Sequence, residues 1–152
     1  MKDKTIDYIL RTTWLAVQKM YNEEATKFDS TMATGFTLLS IDPEAGTPST
    51  SLGPKMGMEA TSLSRILKTM ETRGLIERKP NPEDGRGVLI YLTDFGKEKR
   101  AYSKDRVLKF NEAIKKNIPL EKLMAFYEVA ETINDLILNK KIYTNEVNNI
   151  KY

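Results

Sequence analysis

Residues 59–93 read EATSLSRILKTMETRGLIERKPNPEDGRGVLIYLT, and the order of patterns within them leaves few folds open. Leu63, Ile66, Leu67 and Met70 recur at helical spacing, with Ser62, Arg65, Lys68 and Thr69 on the opposite side, so an amphipathic helix is expected from Glu59 to Arg73 with Gly74 as its C-cap. Leu75–Lys79 and Val88–Leu92 then alternate β-branched and aromatic residues with other types, the pattern of two strands. Residues 80–87, Pro-Asn-Pro-Glu-Asp-Gly-Arg-Gly, join them as a hairpin tip too long for a tight turn.

Upstream, residues 34–41 read as a short helix and residues 42–46 as its loop exit. Thr47-Pro48 has the form of an N-cap followed by proline at the first helical position, opening a third helix over 48–56. Pro54 cannot donate to the Thr50 carbonyl, which predicts that this helix is short or kinked in its second turn. From Thr5 to about Asp29, Ile6, Ile9, Leu10, Trp14, Val17, Met20, Tyr21, Ala25 and Phe28 form an apolar stripe. A helix of ~25 residues is ~37 Å long. That exceeds what a small domain covers on its own, so part of the stripe is expected to pack on another subunit.

Downstream, Thr93 can cap a long helix reaching about Lys116, Ile118-Pro119 ends it, and another runs from Leu120 to about Lys140. In this last helix Leu120, Leu123, Tyr127, Ala130 and Ile137 mark one face and Phe126, Val129, Ile133 and Leu136 a neighbouring one, a stripe wide enough to be covered from two sides. The tail, residues 142–152, reads either as a packed arm or as a frayed end. The expected fold is mainly α with a small β-hairpin wing: a winged helix-turn-helix with long dimerisation helices. One domain is expected over residues 1–152, with 34–93 as the winged unit and 1–30 and 94–152 as the helical dimerisation region.

The chain has 152 residues, 40% of them hydrophobic and 30% charged, enough for one ordinary core. It contains no Cys and no His. Those absences remove disulfides, thiolate nucleophiles and imidazole bases, and with them the usual zinc ligands. No metal, no cofactor and no enzyme is expected, because the carboxylate neighbours Glu23-Glu24 and Glu83-Asp84 are adjacent in sequence and look solvated, and Ser103-Lys104 lacks a supporting motif. The net charge is +3, and it is unevenly spread: residues 55–100 carry 10 basic and 7 acidic side chains, against 5 and 7 before them and 9 and 7 after. No run of about eighteen apolar residues exists, and the start Met-Lys-Asp-Lys lacks a signal-peptide core. A soluble, cytoplasmic protein with no membrane partner is expected.

In a winged helix-turn-helix the second helix lies in the major groove with its N-terminal residues against base edges. Ala60, Thr61, Ser62 and Ser64 are small enough to let that helix approach, and Arg65 is a forked donor able to take guanine O6 and N7. Lys68, one turn on, suits a phosphate. At the wing tip Asp84 stands two residues before Arg86, near enough to hold the guanidinium in one rotamer for a narrow minor groove. Arg78 and Lys79 at the base of the wing suit flanking phosphates. Alone, Arg65 and Lys68 fit an ordinary solvated helix face, and Asp84 with Arg86 a surface ion pair worth roughly 0–1 kcal/mol. Their occurrence together in this order of elements favours double-stranded DNA as the partner.

These residues resemble the MarR-type (multiple antibiotic resistance) regulators. The likeness is carried by Leu52, Met56-Gly57-Met58, Thr61-Ser62-Leu63-Ser64-Arg65, Arg73-Gly74-Leu75-Ile76-Glu77-Arg78 and Pro82-Glu83-Asp84. A wing of the form Asp-x-Arg-x-x-x-Ile-x-Leu-Thr, filled by Asp84, Arg86, Ile90, Leu92 and Thr93, completes it. The resemblance implies a homodimer whose first and last two helices form the dimer body. It implies two winged units on a pseudo-palindromic DNA site, usually repression, and release by a small phenolic or anionic effector. By the same resemblance Trp14, Phe36 and Tyr102, from the first, second and fifth helices, are candidate effector contacts, although core or dimer packing is the simpler account of all three. Gly53-Pro54 departs from the family's third helix, and the absence of Cys and His excludes its cysteine oxidant sensors and argues against its zinc sensors. A winged-helix module that binds protein without reading DNA is the alternative; it predicts an apolar patch around Arg65 and Arg86.

Overall fold

A computed structural model describes residues 4–144, in the order α1 (Ile6–Thr26), α2 (Met32–Ser40), β1 (Thr47–Pro48), α3 (Ser49–Met56), α4 (Ala60–Thr72), β2 (Ile76–Asn81), β3 (Asp84–Leu92), α5 (Asp94–Asn117) and α6 (Leu120–Leu138). The question of a packed or frayed tail falls mostly on residues 145–152, and that of a signal peptide partly on residues 1–3, all outside the described residues. The chain divides between Leu108 and Lys109, within α5, into two compact units.

The first unit is built on the stripe of α4. Leu63, Leu67 and Met70 turn inward and meet Leu38 and Ile41 from α2 and its exit, Leu52 from α3, Leu75 and Ile76 after the α4 cap, and Ile90 and Leu92 from β3. Each fully buried Leu or Ile contributes ~1.5–3 kcal/mol over an exposed one, which makes this cluster the main source of the unit's stability. Gly74, at φ +72°, takes the left-handed conformation that closes α4. There the Leu75 N–H reaches the Met70 carbonyl at 2.9 Å and the Gly74 N–H the Glu71 carbonyl at 3.0 Å.

The sheet has three strands in the order β1-β3-β2, both pairs antiparallel. Ile76 faces Leu92, Arg78 faces Ile90 and Pro80 faces Val88, with an irregularity between Pro80 and Asn81 that leads to the Asn81–Asp84 pair. Two expectations are corrected. Thr47 does not cap α3: residues 47–48 pair with Ile90 and Leu89, and the Thr47 hydroxyl accepts from the Asp42 N–H at 2.8 Å, leaving Pro48 at the N-cap. The strands also run further than residues 79 and 88, so the connection at Pro82-Glu83 is tight; Asn81 Oδ1 accepts from the Glu83 N–H at 3.0 Å and holds it. As its composition requires, α3 is short, eight residues with Pro54 inside.

α1 ends one turn before the expected Asp29, which itself sits at φ +53°, and α2 begins at Met32 with the Thr31 hydroxyl accepting from the Thr34 N–H at 3.1 Å. Thr93 caps α5 through its hydroxyl, which accepts from the Gly96 N–H at 3.0 Å. No residue of α1 is buried, and Trp14 is 47% exposed. In the second unit Leu123 is buried, whereas Leu120, Met124, Phe126, Tyr127, Val129, Leu136, Ile137 and Leu138 are all exposed. Among the described residues no helix is long and apolar enough to cross a membrane, and no group of acidic side chains is placed to hold a metal ion.

Candidate nucleic-acid interface

The spacing that buries Leu63, Leu67 and Met70 turns Thr61, Ser64, Arg65 and Lys68 outward at i, i+3, i+4 and i+7, and all four are exposed, as are Ala60 and Ser62. Side-chain length increases along this face, from hydroxyls in the first turn to Arg65 and Lys68 in the second and third. The helix can therefore approach a surface with its N-terminus closest. Among the described residues neither Arg65 nor Lys68 is in an ion pair, so both charges are available.

At the wing, Asp84 does not hold the Arg86 guanidinium. Its Oδ1 accepts from the Arg86 backbone N–H at 3.1 Å, so the acid shapes the bulged backbone and leaves the arginine head in solvent. Arg78 and Lys79 point to opposite faces of β2. Arg78 Nε donates to Glu71 Oε2 of α4 at 3.0 Å and borders a hollow with Ser49, Thr50, Ala60 and Ser64. Lys79 lies on the other side, 3.6 Å from Glu77 and over the Tyr91 ring at 5.0 Å. Ser49 and Thr50 were not among the expected contacts; their one signal in the sequence is the Ser49-Thr50-Ser51 run that opens α3 next to α4.

A second feature lies between α1, α2 and the first turns of α5. This cavity is lined by Phe36 and Tyr102 together with Tyr21, Phe28, Lys99 and Arg106. Trp14 is not in it; Trp14 and Phe36 instead border a neighbouring open hollow beside α3. The Phe28 and Tyr102 rings meet with their planes inclined by 44° and their centroids 3.7 Å apart, and Arg106 stands over Tyr102 at 5.0 Å. The Tyr102 hydroxyl is buried with no hydrogen-bond partner among the described residues. Arg106 pairs with Asp105 and, at 3.4 Å, with Glu24, and Glu24 also holds Lys27 at 2.6 Å. Hydrogen bonding to Lys27, and secondarily to Arg106, keeps the Glu24 carboxyl below the usual carboxylate range. Lys99 is set over Phe28 and Phe95 at 5.9 and 5.3 Å.

Three helices ending in an exposed, hydroxyl-and-arginine-faced α4, followed by a β2–β3 wing, define a winged helix-turn-helix protein. Residues 31–88 match the sequence model of the MarR family. The multiple antibiotic resistance protein MarR of Escherichia coli (strain K12) is 35% identical over 78 residues, 51% of this chain and 54% of that protein. The HTH-type transcriptional regulator YdgJ of Bacillus subtilis (strain 168) is 30% identical over 88 residues, 58% of this chain and 54% of that protein. The chain thus spans about half the length of the curated relatives it matches. Among solved structures it is similar in fold to S. aureus MepR in complex with DNA, with a TM-score of 0.78, 18% identity, and 88% of this chain and 99% of that chain covered. A mutant MarR from E. coli complexed with operator DNA matches with a TM-score of 0.75, 23% identity and coverage of 84% and 92%. The PcaV regulator from Streptomyces coelicolor in complex with its natural ligand matches with a TM-score of 0.74, 19% identity and coverage of 89% and 98%.

Proposed function

We propose that this chain is a MarR-type transcriptional regulator that binds a pseudo-palindromic duplex site as a homodimer, acts as a repressor, and releases DNA when a small phenolic or anionic effector binds. It is a binding protein and not an enzyme, and duplex DNA as its partner sets it in the cytoplasm. The observation that carries this is the unpaired, exposed face of Thr61, Ser64, Arg65 and Lys68 on α4, set beside a wing whose Arg86 head is in solvent. A protein-binding module would present an apolar patch there, and these positions are hydroxyls and cations. That MepR and MarR of the same fold have been seen with DNA supports the proposal.

In this proposal residues 34–93 read DNA, and residues 1–30 with 94–152 form the dimer body. The exposed apolar side chains of α1 and α6 support it, because a stripe of that size left in water costs ~25 cal/mol per Å². Introducing Phe126→Glu with Val129→Glu should yield monomers in sedimentation at concentrations where the parent is a dimer. The cavity of Phe36 and Tyr102 is the proposed effector site; that PcaV, of similar fold, has been seen with its natural ligand supports only that a protein of this fold can take a ligand.

The deciding experiment is a salt-controlled mobility shift with a duplex from the protein's own promoter region. Arg65→Ala should cost ~1–3 kcal/mol and relax base preference. Arg86→Ala should weaken binding to most sequences and flatten the salt dependence. If both variants bind as the parent does, the interface is elsewhere.

A further inference from the structure

The C-terminal end of α4 is fastened to both walls of the cavity. One wall is the α1–α2 connection, which contributes Phe28, Ser30 and Thr31. Within that run Asp29 is held at φ +53°, and its backbone carbonyl accepts a hydrogen bond from the guanidinium of Arg73, the C-cap of α4; Asp29 Oδ2 lies 3.6 Å from the same nitrogen. The other wall is α5, which contributes Lys99, Tyr102, Ser103 and Arg106. Its first turn is bound to the residues directly after Arg73: Thr93 Oγ1 donates to the Gly74 carbonyl at 2.5 Å, and the Thr93 N–H donates to the Leu75 carbonyl at 3.1 Å. Gly35 of α2 packs closely on Ser103 of α5, since a Cβ on Gly35 would lie 3.1 Å from Ser103 Oγ.

Separating the walls therefore pulls Arg73 and Gly74-Leu75 in different directions. The α5 fastening is made by backbone groups and a short threonine, and it moves the strand side of the cap. The α1–α2 fastening is made by one side chain, and it moves the helix itself. We propose that Arg73 is the positioning residue that transmits widening of the α1/α2–α5 cavity to helix α4. The proposal rests on the assignment of that cavity as the effector site and of α4 as the DNA-reading helix. Because the acceptor is the Asp29 carbonyl, the relay should tolerate Asp29→Gly, which keeps the carbonyl and relieves the left-handed strain of a residue with a side chain.

The test replaces an unknown ligand by a built-in wedge. Ser103→Phe fills the cavity from α5, and Gly35→Val does so from α2 if the first variant does not fold. Each is made in the parent, in Arg73→Met and in Asp29→Gly. The full chain is read by hydrogen–deuterium exchange over α4 and by affinity for the promoter duplex at fixed salt. Expected is at least a tenfold rise in exchange of the α4 amides, and at least a tenfold loss of affinity, on wedging the parent or Asp29→Gly. In Arg73→Met the wedge should change either quantity less than twofold. An equal effect of the wedge with and without Arg73, or no effect in the parent, overturns the relay. If the parent fails to bind duplex DNA while the exchange data follow the expected pattern, the DNA assignment fails and the relay stands.

Discussion

Gly96 in the first turn of α5 lies so close to Leu75 that a Cβ built on it would stand 2.0 Å from the Leu75 carbonyl oxygen. In most helices replacing Gly by Ala gains ~1 kcal/mol. Here the sign reverses, because the obstacle is backbone at the junction of α4, β2 and α5. Gly96→Ala should lower stability by ~1–3 kcal/mol in urea unfolding. An unchanged or higher midpoint would show that α5 is free to back away.

The Arg78–Glu71 pair at 3.0 Å holds a guanidinium that would otherwise face solvent beside α4. Glu71→Ala, which leaves no acceptor, should release it and remove a carboxylate from the side proposed to face DNA. Affinity for duplex DNA should rise, and the slope of log affinity against log salt should steepen by about one. No change in slope would mean that Arg78 does not reach a phosphate.

Asp84 acts on the wing through the Arg86 backbone N–H, and an amide oxygen can accept the same bond. Asp84→Asn should therefore bind DNA at least as tightly as the parent, while Asp84→Ala, with no acceptor, should bind several-fold more weakly. Equal loss in the two variants would assign the role to the carboxylate charge instead.

The Asp42 carboxylate accepts from the N–H groups of Ala45 and Glu44, both at 2.8 Å, and these bonds hold it below its ordinary value of 3.8. A lowered carboxylate stabilises the fold above its unfolded value, and that contribution is lost as the pH falls through the lowered one. Asp42→Asn keeps an acceptor and cannot titrate. Its stability should fall less than the parent's between about pH 4 and pH 2, as followed by denaturation at each pH. Parallel curves for parent and variant would remove Asp42 from the acid response.

The parts of this fold that could be read in the sequence are those set by local periodicity. Leu63, Leu67 and Met70 repeat along one helix, so their burial and the outward turn of Arg65 and Lys68 follow from spacing alone. Thr47-Pro48 misled because its fate depends on a partner forty residues away: Ile90 and Leu89 offer edge hydrogen bonds, and these take the backbone that a cap would use. The wing tip misled because Asn81 and Asp84 bond to backbone two residues on, closing a turn that composition alone makes look open. The cavity was partly legible. Phe36 and Tyr102 line it, but Arg106 and Phe28 gain their places only once α1, α2 and α5 are packed, and Trp14 lies one helix face away.

The open edge of the sheet is the outer side of β2, and its sequence is Ile76-Glu77-Arg78-Lys79-Pro80-Asn81. Three consecutive charges and a proline that lacks a donor make this border a poor template for a strand from another molecule, while β1 covers the opposite border over Leu89 and Ile90. A projecting hairpin is a common seed for aggregation. In this chain the residues that give the wing its basic character also keep neighbouring copies from zipping onto it, so neutralising Arg78 and Lys79 together to test DNA contacts would risk exchanging a loss of affinity for a loss of solubility.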